Sequence, residues 1–142
     1  MTDPPRLYLG ACHCQAIGFE LQTGLPTSAW SVRACQCRFC RSHAARTTSE
    51  PAGAVRFVLV QPSQLSRYRF GLRSADFFVC RTCGVYVASV MTSPRGTFAT
   101  LNVNAIQPSV EVSLAEPKSY EAETLEERIA RRERLWTPVM ES

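Results

Sequence analysis

The chain has 142 residues, 45% hydrophobic and 20% charged, with 16 Lys and Arg against 12 Asp and Glu and a formal net charge of +4. That length suits one domain with its own hydrophobic core, and the composition is that of an ordinary soluble globular protein. The charge is small and its basic residues are scattered (Arg6, Arg33, Arg38, Arg41, Arg46, Arg56), which argues against a nucleic-acid surface and is compatible with a small anionic substrate.

In chain order, Ile17 to Gln22 alternates apolar and polar residues, as a half-buried strand does. Val55 to Val60 is nearly all apolar and rich in β-branched residues, which predicts a buried strand. Ser66 to Phe70 alternates again, and Phe77 to Val79, Val85 to Val90 and Phe98 to Val103 continue the strand pattern. Gly24, Pro26, Pro51-Ala52-Gly53, Gln61-Pro62-Ser63, Gly71, Ser93-Pro94-Arg95-Gly96 and Pro108 punctuate these runs with turn chemistry. Many short strands at this spacing predict a mainly β fold, a small sandwich or barrel. One helix is expected near the C-terminus. Thr124-Leu125-Glu126-Glu127 is a capping-box sequence, with glutamates at its start and Arg131, Arg132 and Arg134 at its end. Leu125, Ile129 and Trp136 form a narrow apolar stripe for docking on the sheets, which leaves the charged face solvated. The domain is read as 1–142, with a core over about 7–115 and the helix over about 124–136.

The seven cysteines fall in three tight clusters: Cys12-His13-Cys14, Cys35-Gln36-Cys37-Arg38-Phe39-Cys40 and Cys80-Arg81-Thr82-Cys83-Gly84. Disulfide frameworks spread cysteines along a chain, whereas metal knuckles concentrate them, and an odd number cannot pair fully. Cys80-x-x-Cys83-Gly84 is a zinc-knuckle pattern whose glycine permits a positive-φ turn. Cys12 and Cys14 supply the facing pair, brought close by strand pairing. Cys35, Cys37 and Cys40 then form a separate triad, which leaves one coordination position open. The rival division joins Cys12 and Cys14 to Cys35 and Cys37, with Cys40 beside Cys80 and Cys83, and it splits a compact triad between two ions. Metal-type cysteines, the absence of a membrane-length apolar run and a Met1-Thr2-Asp3-Pro4-Pro5 start without a signal-peptide core place the expected protein in a reducing cytoplasm, free of membranes.

In this order the clusters, with Gly10-Ala11-Cys12-His13-Cys14 first, resemble the glutathione-dependent formaldehyde-activating enzyme family, also called the CENP-V/GFA family. The resemblance runs from about Leu7 to Val103. It implies an Mss4-like fold of small antiparallel sheets with zinc knuckles. It also implies a structural zinc on Cys12, Cys14, Cys80 and Cys83 and a catalytic zinc on Cys35, Cys37 and Cys40. The implied activity is that of a carbon–sulfur lyase, joining glutathione to formaldehyde as S-hydroxymethylglutathione. The chain departs from the family pattern after the triad, where Arg41-Ser42-His43-Ala44-Ala45 stands in place of Arg-Lys-x-Ser/Thr-Gly, and after the last knuckle, where Gly84-Val85-Tyr86-Val87 replaces Gly-Ser/Thr-x-Leu.

Zinc on three thiolates is electron-rich and favours a soft fourth ligand, such as a substrate thiol, over water activation. The expected function is therefore to form or cleave a thiol adduct at the triad, with a small-molecule thiol as partner. Arg38 and Arg41 are candidates for offsetting the charge or holding a substrate carboxylate, and His43 for a fourth ligand or proton shuttle. His13, between two ligands, is read as structural, and Tyr86 and Phe39 as possible pocket residues. Two other classes remain open: a non-catalytic zinc module that binds a partner, and a redox switch built on the triad. An open coordination position facing a concave pocket separates the enzyme from the binding module.

Overall fold

Residues 4–140 are described by a computed structural model of the chain. The fold is mainly β, with antiparallel sheets and a C-terminal helix. A small sheet is formed by β1 (Arg6–Ala11), β2 (Ile17–Thr23) and β5 (Ala54–Leu59), in the order β1-β2-β5. A larger sheet contains β3 (Val32–Cys35), β4 (Thr47–Thr48), β6 (Leu65–Tyr68), β7 (Asp76–Cys80), β8 (Tyr86–Ser93), β9 (Gly96–Asn102) and β10 (Glu116–Lys118). Its order is β10-β3-β4-β9-β8-β7-β6, and the two-residue β11 (Thr137–Pro138) pairs with β9. β10 runs parallel to β3, while the other paired neighbours are antiparallel. The short helix α1 (Arg38–Ser42) follows β3, and α2 (Leu125–Leu135) precedes β11.

The core lies between the sheets. Ile17, Phe19, Leu21 and Val55 come from the small sheet, and Phe78, Val87, Ala88, Ala99 and Leu101 from the large one. Each fully buried large side chain of this kind contributes about 1.5–3 kcal/mol. Alternation in β2 works as the sequence predicts, since Ile17, Phe19 and Leu21 are buried to 1% exposure or less. The ring of Phe19 lies over Gly10, where a Cβ would run into it, so this glycine is fixed by close approach.

β5 differs from its expectation. It is the edge of the small sheet, and only Val55 is fully buried along it, while Val58 is 39% exposed and the following Val60 68%. An apolar run thus marks strand propensity without telling how many faces are covered. The sheets are joined by this packing and by isolated bridges, Gly10 with Ile106 and Val55 with Val139.

α2 begins where the capping box predicts. Thr124 Oγ1 accepts from Glu127 N–H at 3.1 Å, and Glu127 Oε1 accepts from Thr124 N–H at 2.9 Å. Trp136, just past its end, packs with Ala75, Met91 and Ile129, whereas Leu125 stays exposed, so the docking stripe is shorter than expected. Thr124→Ala is expected to destabilise the protein by about 1 kcal/mol through loss of the cap. Urea unfolding checks this, and an unchanged midpoint would remove the cap from the account of α2.

Candidate functional site

Each knuckle is built by a hairpin. Cys12 directly follows β1, and its turn to β2 is closed by Cys12 N–H to Ile17 O at 2.9 Å and by Gln15 at φ 67°. Cys80 ends β7, and Cys83-Gly84 turns the chain toward β8, with Gly84 at φ 77° as the knuckle pattern requires. In both turns a backbone N–H points at a sulfur: Ile17 at Cys12 Sγ and Cys83 at Cys80 Sγ, each at 3.5 Å. The two hairpins belong to different sheets. The pairs therefore meet by packing of one sheet on the other, and not by strand pairing as expected.

The four sulfurs Cys12, Cys14, Cys80 and Cys83 lie within 4.8 Å of one another. Cys12 Sγ is 3.7 Å from Cys14 Sγ, which is 3.5 Å from Cys80 Sγ. Bonds of about 2.3 Å to a tetrahedral zinc would put sulfurs about 3.8 Å apart, so this shell fits such an ion with little adjustment. His13 is exposed on the turn between two of these ligands and is not among the clustered donors.

Cys35, Cys37 and Cys40 form the second cluster, again within 4.8 Å. Cys35 ends β3, Cys37 is the N-cap of α1, and Cys40 lies within α1. Cys40 N–H donates to Cys37 Sγ at 3.4 Å. Hydrogen bonds from Cys35, then Cys40, hold the Cys37 thiol well below its usual range despite burial. Cys40 is pushed up, because it shares protons with Cys35 and Cys37 and is itself buried. All seven cysteines are free thiols. Among the described residues no histidine nitrogen or carboxylate joins either cluster. The triad thus offers three soft donors and an uncommitted position.

That position faces a cavity of about 340 Å³, which all three triad cysteines line. Phe70, Leu72, Phe77, Tyr86 and Trp136 supply apolar walls. Tyr86 is buried, its hydroxyl is 2.6 Å from Ser89 Oγ, and its ionisation is pushed up by burial and then by the neighbouring Cys40, so it stays a neutral hydroxyl. Phe39 is the hub of an aromatic cluster behind the triad, 4.8 Å from Phe77 and 5.1 Å from Tyr86 between centroids.

The arginines divide unexpectedly. Arg38 and Arg41 are exposed on α1 and do not line the cavity; His43 does not line it either and packs on Phe39 at 4.6 Å. The arginines that line it are Arg33 of β3 and Arg128, Arg131 and Arg132 of α2. Glu123 holds two of them: Arg131 binds it with contacts of 2.7 and 3.0 Å, and Arg128 Nε approaches it at 3.4 Å. Burial opposes the Glu123 charge, but Arg131 and Arg128 outweigh it and keep the carboxyl below its usual range. Arg131 also lies over the Tyr120 ring at 3.7 Å. Arg33 and Arg132 are buried, at 8% and 7% exposure, and hydrogen-bond only to hydroxyls, Ser49 and Thr100 for Arg33 and Ser74 for Arg132, while the Arg132 guanidinium also lies over the Trp136 ring at 4.7 Å. Burial pushes the Arg132 guanidinium down to about 10, with repulsion from Arg131 and Arg128 adding to it. So three of the helix arginines turn inward, where a wholly solvated face was expected. A helical repeat of charge in sequence does not tell which charged side faces the protein.

The family model for the glutathione-dependent formaldehyde-activating enzyme matches residues 7–122 of the chain. A crystal structure of a Rhodobacter sphaeroides protein is similar, with 28% identity, a TM-score of 0.59, and coverage of 78% of this chain and 99% of that one. The comparison with curated proteins finds no match.

Replacing Cys83 by Ser should lower the melting temperature sharply, since it breaks a shell shared by two sheets. Cys37→Ser should cost little stability, because the triad closes only a short loop. Metal analysis of purified protein should fall by about one ion per chain in each variant. Equal melting of wild type and Cys83→Ser would remove the stapling role. The lowered Glu123 carboxyl contributes stability that is complete above the usual glutamate range and is lost as pH falls through its lowered value in the folded state. Glu123→Gln should flatten that acid limb of a melting-temperature profile, and an identical acid limb would show that the arginine pair does not stabilise α2.

Proposed function

The chain belongs to the glutathione-dependent formaldehyde-activating enzyme family, and from that premise we propose that it is a zinc-dependent enzyme that forms or cleaves the carbon–sulfur bond of a thiol adduct resembling S-hydroxymethylglutathione. Cys35, Cys37 and Cys40 hold the catalytic ion in this reading, and Cys12, Cys14, Cys80 and Cys83 a structural one. The observation that carries the proposal is the three-sulfur cluster opening on the cavity, with no fourth histidine or carboxylate donor among the described residues. A binding module would have no need of a pocket at an open coordination position.

Zinc bound at the triad would take a substrate thiol as its soft fourth ligand and favour the thiolate. In the forward direction a carbon–sulfur bond forms between the thiol sulfur and a carbonyl carbon, and the thiol proton ends on the former carbonyl oxygen; the reverse reaction breaks that bond and returns the proton. Tyr86 is the group we assign to that oxygen, because it lines the cavity as a neutral hydroxyl and shares a proton with Ser89. Phe70, Leu72 and Phe77 keep water from the reacting atoms. Arg38 and Arg41, on the helix that carries Cys40, offset the negative charge of the thiolates from the solvent side. His43 buttresses that helix against Phe39 and Tyr86 and is the nearest candidate for relaying a proton to solvent. Thiols of this kind stay reduced in a cytoplasm, which is where we place the protein. Among the described residues no helix is long and apolar enough to cross a membrane.

Cobalt substitution makes this testable. Small thiols, added with and without formaldehyde, should shift the sulfur-to-cobalt absorption bands, and Cys37→Ser should abolish both the shift and the turnover of the adduct. Bands indifferent to every thiol, together with no turnover of any thiol adduct, would move the protein to the binding-module class.

A further inference from the structure

Two guanidinium groups in the cavity wall lack a countercharge. Arg33 and Arg132 are both more than nine-tenths buried, both line the cavity, and neither makes an ion pair with a carboxylate among the described residues. Glu123 is engaged by Arg128 and Arg131, and Glu121 is exposed on the cavity lining and pairs with neither. Arg132 uses Nη1 on Ser74 at 2.8 Å and lies over the Trp136 ring at 4.7 Å, and its buried Nε has no hydrogen-bond partner among the described residues. Arg33 uses Nη2 on Ser49 and Thr100. Burying a charge without a partner is costly, and an unmade hydrogen bond on a charged group adds to the cost. An anion in the cavity would relieve part of that cost. The side-on edge of a guanidinium matches the two oxygens of a carboxylate.

We propose that Arg33 and Arg132 form a carboxylate subsite, and that this chain selects thiols or thiol adducts whose apolar body joins the sulfur to a carboxylate. The proposal rests on the reading that the triad takes the substrate sulfur. Arg33 and Cys35 lie two residues apart on β3, so they face the same side of the strand, with Cα atoms about 6.6 Å apart. β3 thereby fixes the distance between the place for charge and the place for sulfur. The apolar side chains that line the cavity, Phe70, Leu72, Phe77 and Trp136, suit hydrocarbon better than a polar chain. Arg132 comes from α2, which begins after the family match ends at residue 122. The anion subsite is therefore completed by a segment outside the matched span.

The test uses the cobalt-loaded full chain and three acids, mercaptoacetate, mercaptopropionate and mercaptohexanoate, each against the mercapto-alcohol of equal length. One acid should bind at least about tenfold more tightly than its alcohol, the margin expected for a charge-assisted hydrogen bond in a buried site. Arg132→Gln should remove most of that margin and leave the alcohol's affinity as it was, and Arg132→Lys should restore part of it. Acids and alcohols that shift the bands at equal concentrations would overturn the subsite while leaving thiol binding at the triad intact. If no thiol shifts the bands, the thiol reading fails, and melting with sulfur-free phenylpropionate against phenylpropanol decides the subsite. Stabilisation by the acid alone then supports it, and equal effects overturn it. If Arg132→Gln does not fold, the acid-to-alcohol ratio in the wild-type protein decides by itself.

Discussion

The core of this protein is shared between two sheets that exchange few backbone hydrogen bonds. A hairpin turn from each sheet delivers two sulfurs to one shell, Cys12 and Cys14 from the small sheet, Cys80 and Cys83 from the large one. Apolar packing between sheets is non-directional and tolerates sliding. A tetrahedral set of thiolates does not, because its geometry is fixed to a few tenths of an ångström. A metal held by these four sulfurs would set the register of one sheet on the other. β7 and β8 of the large sheet, held by this shell at one end, go on to carry Phe77, Tyr86 and Ser89 into the cavity wall. The wall of the triad's cavity is tied in this way to a sulfur cluster that lies outside it.

The triad and its cavity follow a different logic. Cys35, Cys37 and Cys40 are close in sequence, so their convergence needs only a strand end and one helical turn. What makes them a site is assembled from far away: aromatic side chains of β7 and β8 and arginines of β3 and α2. Three thiolates on a divalent ion would leave one net negative charge, which the four arginines around the cavity would oppose. Two of these are answered by Glu123 and two are not. The balance leaves positive potential deep in a largely apolar pocket, where screening by salt is weakest.

Much of this was legible in the sequence and some was not, for physical reasons. The cysteine clusters announced themselves because ligand spacing is local, as did Gly84, whose positive φ belongs to the knuckle. The Thr124–Glu127 box was equally local, and α2 starts where it says. β1, β3 and α1 had weak local patterns and emerged only from pairing and from the triad's turn. The exposed outer residues of β5 could not be read, since edge position is a property of the whole sheet. The inward arginines were missed for a similar reason. Arg38 and Arg41 drew attention by proximity to the ligands in sequence, while Arg33 and Arg132 reach the cavity through tertiary packing. The one available hint was Arg33 itself, two residues before Cys35 in what proves to be a strand.

The arrangement also has an order in time. All seven cysteines precede Gly84, whereas the helix that lines the cavity begins at Leu125. A chain made from its N-terminus presents its complete set of thiols some forty residues before α2 is synthesised. A metal could thus reach the triad while the ground beside it is still uncovered, before Arg128, Arg131 and Arg132 of α2 arrive. In such a scheme the triad would be loaded before the helix that lines its cavity is in place.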